Sequence, residues 1–417
     1  MTDPAFNIII VGGGIAGLAA AIALRAERRN ITVLEQSPFN KEIGATISLQ
    51  PNASKIVEGQ WGLEAALKEQ GSMVDEAFEV YNTSGTLEMR IPLSTKERFG
   101  AERMMYHRAD LHQLLKTKAT TAASPAPPVQ IRVSSRVIGC DCETGEVQLE
   151  TGEVLHAHLI IGADGIKSTL RTAVLGKEID ALPTGLSAYR MMIPTTKLLQ
   201  ESEFVSVISP EKSCTTMVMG QDRRLVMSPA RNGSIYGVVA LVPDESMHES
   251  SSHTSWTTKG DHSKMLSSFA EFPSWAQRPL HLAKDVGLWQ LRDLDPLSSW
   301  CRGRVLLIGD AAHAMLPTQG QGASQAIEDA EAVGAFYEDF ETKGRPESGL
   351  DVQHVNEAIF NCRYDRATTI QAYSRAAAKP ATDPGSTKVK MSPAEFMEYN
   401  CSYDGALEWA RRSTVVS

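Results

Sequence analysis

Three segments of this chain combine glycines with a carboxylate or a helix start: Gly12-Gly13-Gly14-Ile15-Ala16-Gly17, Gly162-Ala163-Asp164-Gly165 and Gly309-Asp310-Ala311-Ala312-His313. Such residues hold phosphates and hydroxyls. In the first, Gly12 permits a tight turn, Gly14 lets a pyrophosphate approach the backbone, and Gly17 allows a helix to pack closely on a strand. The helix start that follows offers free N–H groups and a partial positive charge. Glu35 lies at the end of the next apolar run, where its carboxylate can accept hydrogen bonds from adenosine ribose hydroxyls. A carboxylate there repels a 2′-phosphate, so the site suits FAD or NAD rather than NADP.

The second segment continues Ile166-Lys167-Ser168-Thr169-Leu170-Arg171. A lone Asp-Gly is usually a turn, but Asp164 is followed by Ser, Thr and Arg at a helix start, so a capping role is also open. In the third segment Asp310 can accept hydroxyl hydrogen bonds from a polyol. Pro317 and the glycines of Gly320-Gln321-Gly322-Ala323 build a rigid turn, and the next helix points its N–H groups outward. His313 reads either as a base or, more commonly for a His between alanines, as a packed structural residue.

The elements that must position these residues are legible in outline. Phe6-Asn7-Ile8-Ile9-Ile10-Val11 reads as a buried parallel strand, 15–25 as a helix, and Ile31-Thr32-Val33-Leu34 as a second strand. This is a βαβ unit of about 30 residues. Short alternating strands are expected from 78 to 91, a helix from 108, and a meander over 129–154 with turns at Thr144-Gly145 and Thr151-Gly152. Leu159-Ile160-Ile161 and Val305-Leu306-Leu307-Ile308 read as buried strands running into the second and third segments. Residues 185–242 suggest antiparallel strands, 244–263 a mobile polar loop, 324–340 a helix, and 379–390 a polar connector. No internal repeat is present.

The 417 residues suffice for one large or two ordinary domains, and 42% hydrophobic with 22% charged residues is a globular composition. The net charge of -9 argues against nucleic acid as a partner. Six cysteines, at 140, 142, 214, 301, 362 and 401, show no metal-ligand spacing, and no metal site is expected. Reduced, buried thiols compatible with a cytoplasmic setting are expected. The 6–11 run is too short to span a bilayer and lacks the pattern of a secretion signal, so no membrane span is expected.

Together these stretches resemble the class A FAD-dependent monooxygenases of the para-hydroxybenzoate and salicylate hydroxylase type, closest to fungal secondary-metabolism members. The matching segments are IIIVGGGIAGLAAAIAL with Glu35, EIGATISLQPNA at 42–53, YHRADLHQLL at 106–115, GADGIKSTLR, AYRMMIP at 188–194, ARNGSIYGVVALVPD at 230–244, LWQLRDLDPLSSW at 288–300, and GRVLLIGDAAHAMLPTQGQGASQAIEDA at 303–330. The resemblance implies an α/β fold: a Rossmann-type FAD-binding domain (1–75, 106–175, 290–345), an inserted antiparallel substrate domain (76–105, 176–289) and a helical C-terminal region (346–417). By it, Glu35 binds the FAD ribose, Gly44, Ala45 and Arg108 contact the flavin and its ribityl–pyrophosphate, and Asp310 holds the ribityl chain. Gly322 and Ala323 lie against the isoalloxazine ring, and Asp164 belongs to a motif serving FAD and transient NAD(P)H docking.

The implied reaction has NADPH or NADH reduce the flavin, whereupon O2 forms a C4a-hydroperoxide that an electron-rich aromatic carbon attacks. A cationic Arg near the substrate would stabilise a phenolate. Arg190 is the position resembling such a catalytic Arg, with a salt bridge or a fold-supporting role as the other reading. Relatives often carry Tyr-Pro-x-Arg on a later strand, whereas this chain reads Ser228-Pro229-Ala230-Arg231. Thr46 and Ala323 also stand where relatives often have Gly. The reading is therefore hydroxylation of a phenolic or salicylate-like molecule by a monomer or homodimer. Epoxidation of an alkene or indole, a non-oxygenating oxidase or reductase, and a flavoprotein-like module without turnover are the alternatives.

Overall fold

The computed structural model describes residues 5–38, 45–122, 125–244, 257–338, 349–378 and 391–416. Its first sheet grows from Phe6–Val11, whose Ile8 and Ile10 are almost completely buried. That strand pairs in parallel with Arg29–Leu34 on one side and Leu159–Gly162 on the other. The six strands run in the order Cys301–Arg302, Val305–Leu307, Leu159–Gly162, Phe6–Val11, Arg29–Leu34, Gln130–Arg132. Helix Ile15–Ala23, rich in alanine, packs closely on helix Gly322–Glu338: a Cβ on Gly334 would stand 2.9 Å from the Ala23 carbonyl oxygen.

This strand order explains the three glycine segments. Each follows one of three adjacent parallel strands, so all three loops leave the same edge of the sheet, where α/β folds bind ligands. Backbone bonds join them directly: Ala163 N–H donates to Val11 O at 2.8 Å, and Ile308 N–H to Gly162 O at 3.0 Å.

The meander expected over 129–154 is only partly formed. Val137–Asp141, Glu146–Leu149 and Val154–His156 make it, with Gly145 and Gly152 in the left-handed region at its turns. Gln130–Arg132 instead joins the first sheet in parallel beside Arg29–Leu34. A parallel partner distant in sequence leaves no local signal.

The second large sheet has eight strands in the order Thr257–Lys259, Gly287–Asp293, Leu182–Pro194, Ile235–Pro243, Arg224–Ala230, Cys214–Met219, Ala77–Asn82, Leu87–Pro92. It is antiparallel except that Cys214–Met219 pairs in parallel with Ala77–Asn82. Short helices Thr195–Leu198 and Ser202–Val205 interrupt the 185–242 run. Of the polar loop expected over 244–263, residues 245–256 lie outside the described residues. Its remainder is a strand, Thr257–Lys259, and the start of helix His262–Ser268, capped by the Asp261 carboxylate. The 379–390 connector also lies outside the described residues. All six cysteines are free, five buried and Cys140 half-buried.

Helix Gly349–Ala377 lies against Gly322–Glu338 through a buried ionic cluster. Arg363, fully buried, donates to Glu328 Oε2 at 2.5 Å and Asp329 Oδ1 at 2.9 Å, and Arg366 reaches Glu328 at 2.7 Å. A buried charge left unpaired is costly, so the cluster locks the register of the two helices.

Candidate functional site

Gly12 has φ +105°, and a Cβ there would stand 2.2 Å from the Ala163 carbonyl oxygen. At Gly17 a Cβ would stand 1.9 Å from Gly12 O. These two glycines are therefore required by protein–protein contact. Gly14 differs: nothing lies within 4 Å of its Cβ position, and it precedes helix Ile15–Ala23, whose N-terminus has no side-chain cap. Open space before uncapped N–H groups fits a pyrophosphate.

Glu35 turns its carboxylate onto this loop, accepting from Gly13 N–H at 2.8 Å and Ser37 N–H at 2.7 Å. Each oxygen keeps a further lone pair for a hydroxyl. His112 Nε2 lies 2.7 Å from Gly13 O, so the tautomer protonated there braces the loop from the opposite side. Sequence reading assigned His112 no role. Its spacing of four from Arg108 on one helix was the available signal, since such residues share a face.

Arg108 starts helix Arg108–Thr120, and its N–H donates to Ala45 O at 2.9 Å, placing the half-buried Ala45 at the cleft. Gly44 lies outside the described residues. Asp310, the first residue of the short helix Asp310–His313, is exposed while Ala311, Ala312 and His313 behind it are buried. Burial raises its pKa, while His313, Arg108 and Arg171 pull it down. Among the described residues none donates a hydrogen bond to its carboxylate, which leaves it free to accept hydroxyl groups.

Asp164 accepts from Leu170 N–H at 3.1 Å through Oδ2, while its Oδ1 is buried without a partner. Helix Thr169–Leu175 is capped by Ser168, whose Oγ accepts from Arg171 N–H at 2.9 Å. Gly322 and the half-buried Ala323 open helix Gly322–Glu338, and nothing lies within 4 Å of a Cβ at Gly322. The third segment touches the first, since a Cβ on Gly309 would stand 2.9 Å from Ala16 Cβ.

His313 is structural. Its Nε2 lies 2.6 Å from Asp329 Oδ2, which also accepts from Gly309 N–H at 2.9 Å. Burial alone would raise the Asp329 pKa, but His313 and Arg363 hold it at about 2. The ionic cluster thereby anchors the turn that presents Asp310.

Arg190 projects from Leu182–Pro194 of the eight-stranded sheet, and its guanidinium lies 5.0 Å from the centre of the Trp289 ring. Its Nε is buried without a partner, and burial, with Arg108 adding, lowers its pKa. Among the described residues no carboxylate pairs with it, and its side-chain partner is the Trp289 ring. Arg231 behaves differently. It sits at φ +51° and grips Asp110 with two bonds of 2.7 and 2.6 Å, tying its hairpin to helix Arg108–Thr120. Ser228 is buried opposite Gly237, whose missing side chain makes room for Thr46: a Cβ there would stand 2.3 Å from Thr46 Cγ2.

A family model described as FAD binding domain matches residues 5–352. The chain belongs to the FAD-dependent monooxygenases. It is 30% identical over 385 residues to hispidin-3-hydroxylase of Neonothopanus nambi, covering 89% of this chain and 88% of that protein. It is 33% identical over 379 residues to the FAD-dependent monooxygenase phomE' of Diaporthe leptostromiformis, covering 88% and 89%. Among solved structures, a salicylate hydroxylase substrate complex superposes with a TM-score of 0.75 at 25% identity, covering 95% of this chain and 93% of that one.

The residues present fit FAD. The open cradle at Gly14, the unpaired Asp310 carboxylate, the orphaned Asp164 oxygen and the free space at Gly322 are places where protein atoms stop short.

Proposed function

We propose that this monooxygenase hydroxylates an aromatic small molecule that carries an oxyanion, with NADH or NADPH as electron donor and O2 as oxygen source. The observation that carries the reading is Arg190, a half-buried cation with no carboxylate partner among the described residues. A phenolate or carboxylate placed there receives a charge-assisted hydrogen bond, and a phenol has its pKa lowered. The family resemblance and the salicylate and hispidin hydroxylases it matches support the same substrate class.

The proposed division of labour follows the two sheets. Residues around the first hold the cofactor: Gly12, Gly14 and Gly17 shape the pyrophosphate turn, Glu35 takes the ribose, and Asp310 with Arg108 takes the polyol chain. Ala45 contacts the flavin and its ribityl–pyrophosphate, Gly322 and Ala323 lie against the ring, and Asp164 stands where cofactor and reductant dock. Bound FAD supplies the activation of O2 that side chains cannot. The second sheet holds substrate, with Arg190 fixing its oxyanion and apolar neighbours excluding water.

The test is NADH and NADPH oxidation by the FAD-loaded protein with phenols, salicylates, indoles and alkenes under 18O2. The expected result is oxidation stimulated by a phenolate- or carboxylate-bearing aromatic, and a product heavier by one 18O. Stimulated oxidation without label in any product would remove the monooxygenation reading in favour of an oxidase or reductase.

A further inference from the structure

The eight-stranded sheet carries a straight cross-strand row on the face that bears Arg190. Register pairs Arg190 with Val239, Val239 with Val226, Val226 with Met217, Met217 with Val80, and Val80 with Met89. Side chains alternate faces along a strand, so this row has one face and its neighbours in sequence the other. The neighbours are core: Tyr189, Val218, Leu225, Met227, Val238 and Ala240 are at most 1% exposed. The row is not. Val239, Val226, Met217 and Val80 are half-buried, and Met89 on the edge strand is 53% exposed.

Both flanks of the row are occupied, which makes it a groove. On one side Thr46 fills the space above Gly237, and Arg103 stacks 4.6 Å over the Phe78 ring while donating to Ser48 at 2.8 Å. On the other, Leu316 packs with Ala188, Leu241 and Ala378. Between them, four inter-strand steps separate Arg190 from Val80, about 19 Å, and a fifth reaches Met89 at about 24 Å. A single-ring aromatic acid occupies only about 7 Å, one to two of those steps. Among the described residues the floor of the groove carries Arg190 at its inner end and no other acid or base.

We infer that the natural substrate is an elongated amphipath: an aromatic head whose oxyanion meets Arg190, and an apolar arm lying along Val239, Val226, Met217 and Val80 towards the open edge at Met89. This rests on the function proposed above and specifies its substrate class. The half-exposed aliphatic and thioether side chains lose their contact with water when the arm binds, and each methylene buried adds several-fold to affinity.

The test compares salicylate with its 4-pentyl and 5-pentyl derivatives on the FAD-loaded protein. Dissociation constants are read from flavin difference spectra and from calorimetry, and 18O incorporation is followed in parallel. The better pentyl derivative is expected to bind at least about tenfold more tightly than salicylate. In Met217→Trp, and independently in Val80→Trp, that ratio is expected to collapse towards one, with FAD content measured as the check on folding. Equal affinities for salicylate and both derivatives, or a ratio unmoved by both variants, would overturn the elongated-substrate inference even if 18O enters a product. Absence of both binding and label for every compound would overturn the aromatic-hydroxylase reading along with it.

Discussion

Arg190 and Trp289 stand 5.0 Å apart, guanidinium over indole, on adjacent strands of the eight-stranded sheet. The arrangement depends on Gly287, which pairs with Arg190: a Cβ there would stand 2.2 Å from the indole. The indole lies flat across that vacancy and supports the cation from the side where a carboxylate would otherwise be needed. An aromatic face stabilises a guanidinium without neutralising it, so the charge remains available to a ligand.

Arg190→Met is expected to lower kcat/KM for an anionic aromatic by about 10- to 100-fold, the worth of a charge-assisted hydrogen bond. FAD content should be unaltered. Trp289→Leu should give a smaller loss, about 2- to 20-fold, because it removes only the cation–π support. Steady-state kinetics on the FAD-loaded variants, beside flavin content, decides it. Equal losses in both would mean that Trp289 contacts substrate itself.

Gly12 and Gly14 are two residues apart but should fail differently. Gly12→Ala forces a Cβ against the Ala163 carbonyl at positive φ, and the apoprotein should lose stability, by about 2 kcal/mol or more. Gly14→Ala adds a Cβ with no protein atom within 4 Å, so the apoprotein should melt close to wild type while FAD affinity falls by more than tenfold. Thermal melts with and without FAD separate the two.

Asp310→Asn should trade binding for stability. Burial raises the Asp310 pKa, so folding favours the protonated form. Its contribution is fully present below the carboxyl's unfolded pKa and is lost as pH rises through the raised folded value. Because the carboxylate reaches solvent, much of that cost is screened, and at neutral pH the neutral amide should raise the apoprotein's Tm only slightly. FAD should bind less tightly, since an amide oxygen is a weaker acceptor than a carboxylate. A variant that melts lower in apo form would contradict this.

Asp329 carries the opposite sign. Its carboxyl is held at about 2 by His313 and Arg363 against the effect of burial, so its stabilisation is present above the unfolded pKa and is lost as pH falls through about 2. Asp329→Asn leaves Arg363 with one carboxylate fewer and should cost about 3 kcal/mol or more in stability near pH 7. Because Asp329 also fixes Gly309, FAD retention should drop in parallel. Denaturant unfolding across pH 2–7 would reveal both.

The residues near the cofactor were the most legible. Gly12, Gly14 and Gly17 answer local demands of a strand–turn–helix unit, and Glu35 ends the next strand, so spacing alone marks them. Asp310 stands two residues and Asp164 three residues after the end of a buried apolar run, which marks a strand end. Less legible were Gln130–Arg132, whose parallel partner is about 100 residues upstream, and the tie between Arg231 and Asp110, which joins segments 121 residues apart.

Taken alone, the order of amino acids determined that a βαβ unit forms with an acidic residue at the end of its second strand, and which family the whole pattern resembles. These depend on φ/ψ allowances and periodicities within about 30 residues. Only the tertiary structure decided that Arg190 has no carboxylate partner among the described residues, that His313 pairs with Asp329, and that Val239, Val226, Met217 and Val80 form one row. Each is a matter of what distant segments bring into contact. A side chain's partner and a strand's register are set by packing across the whole chain, and no local spacing encodes them.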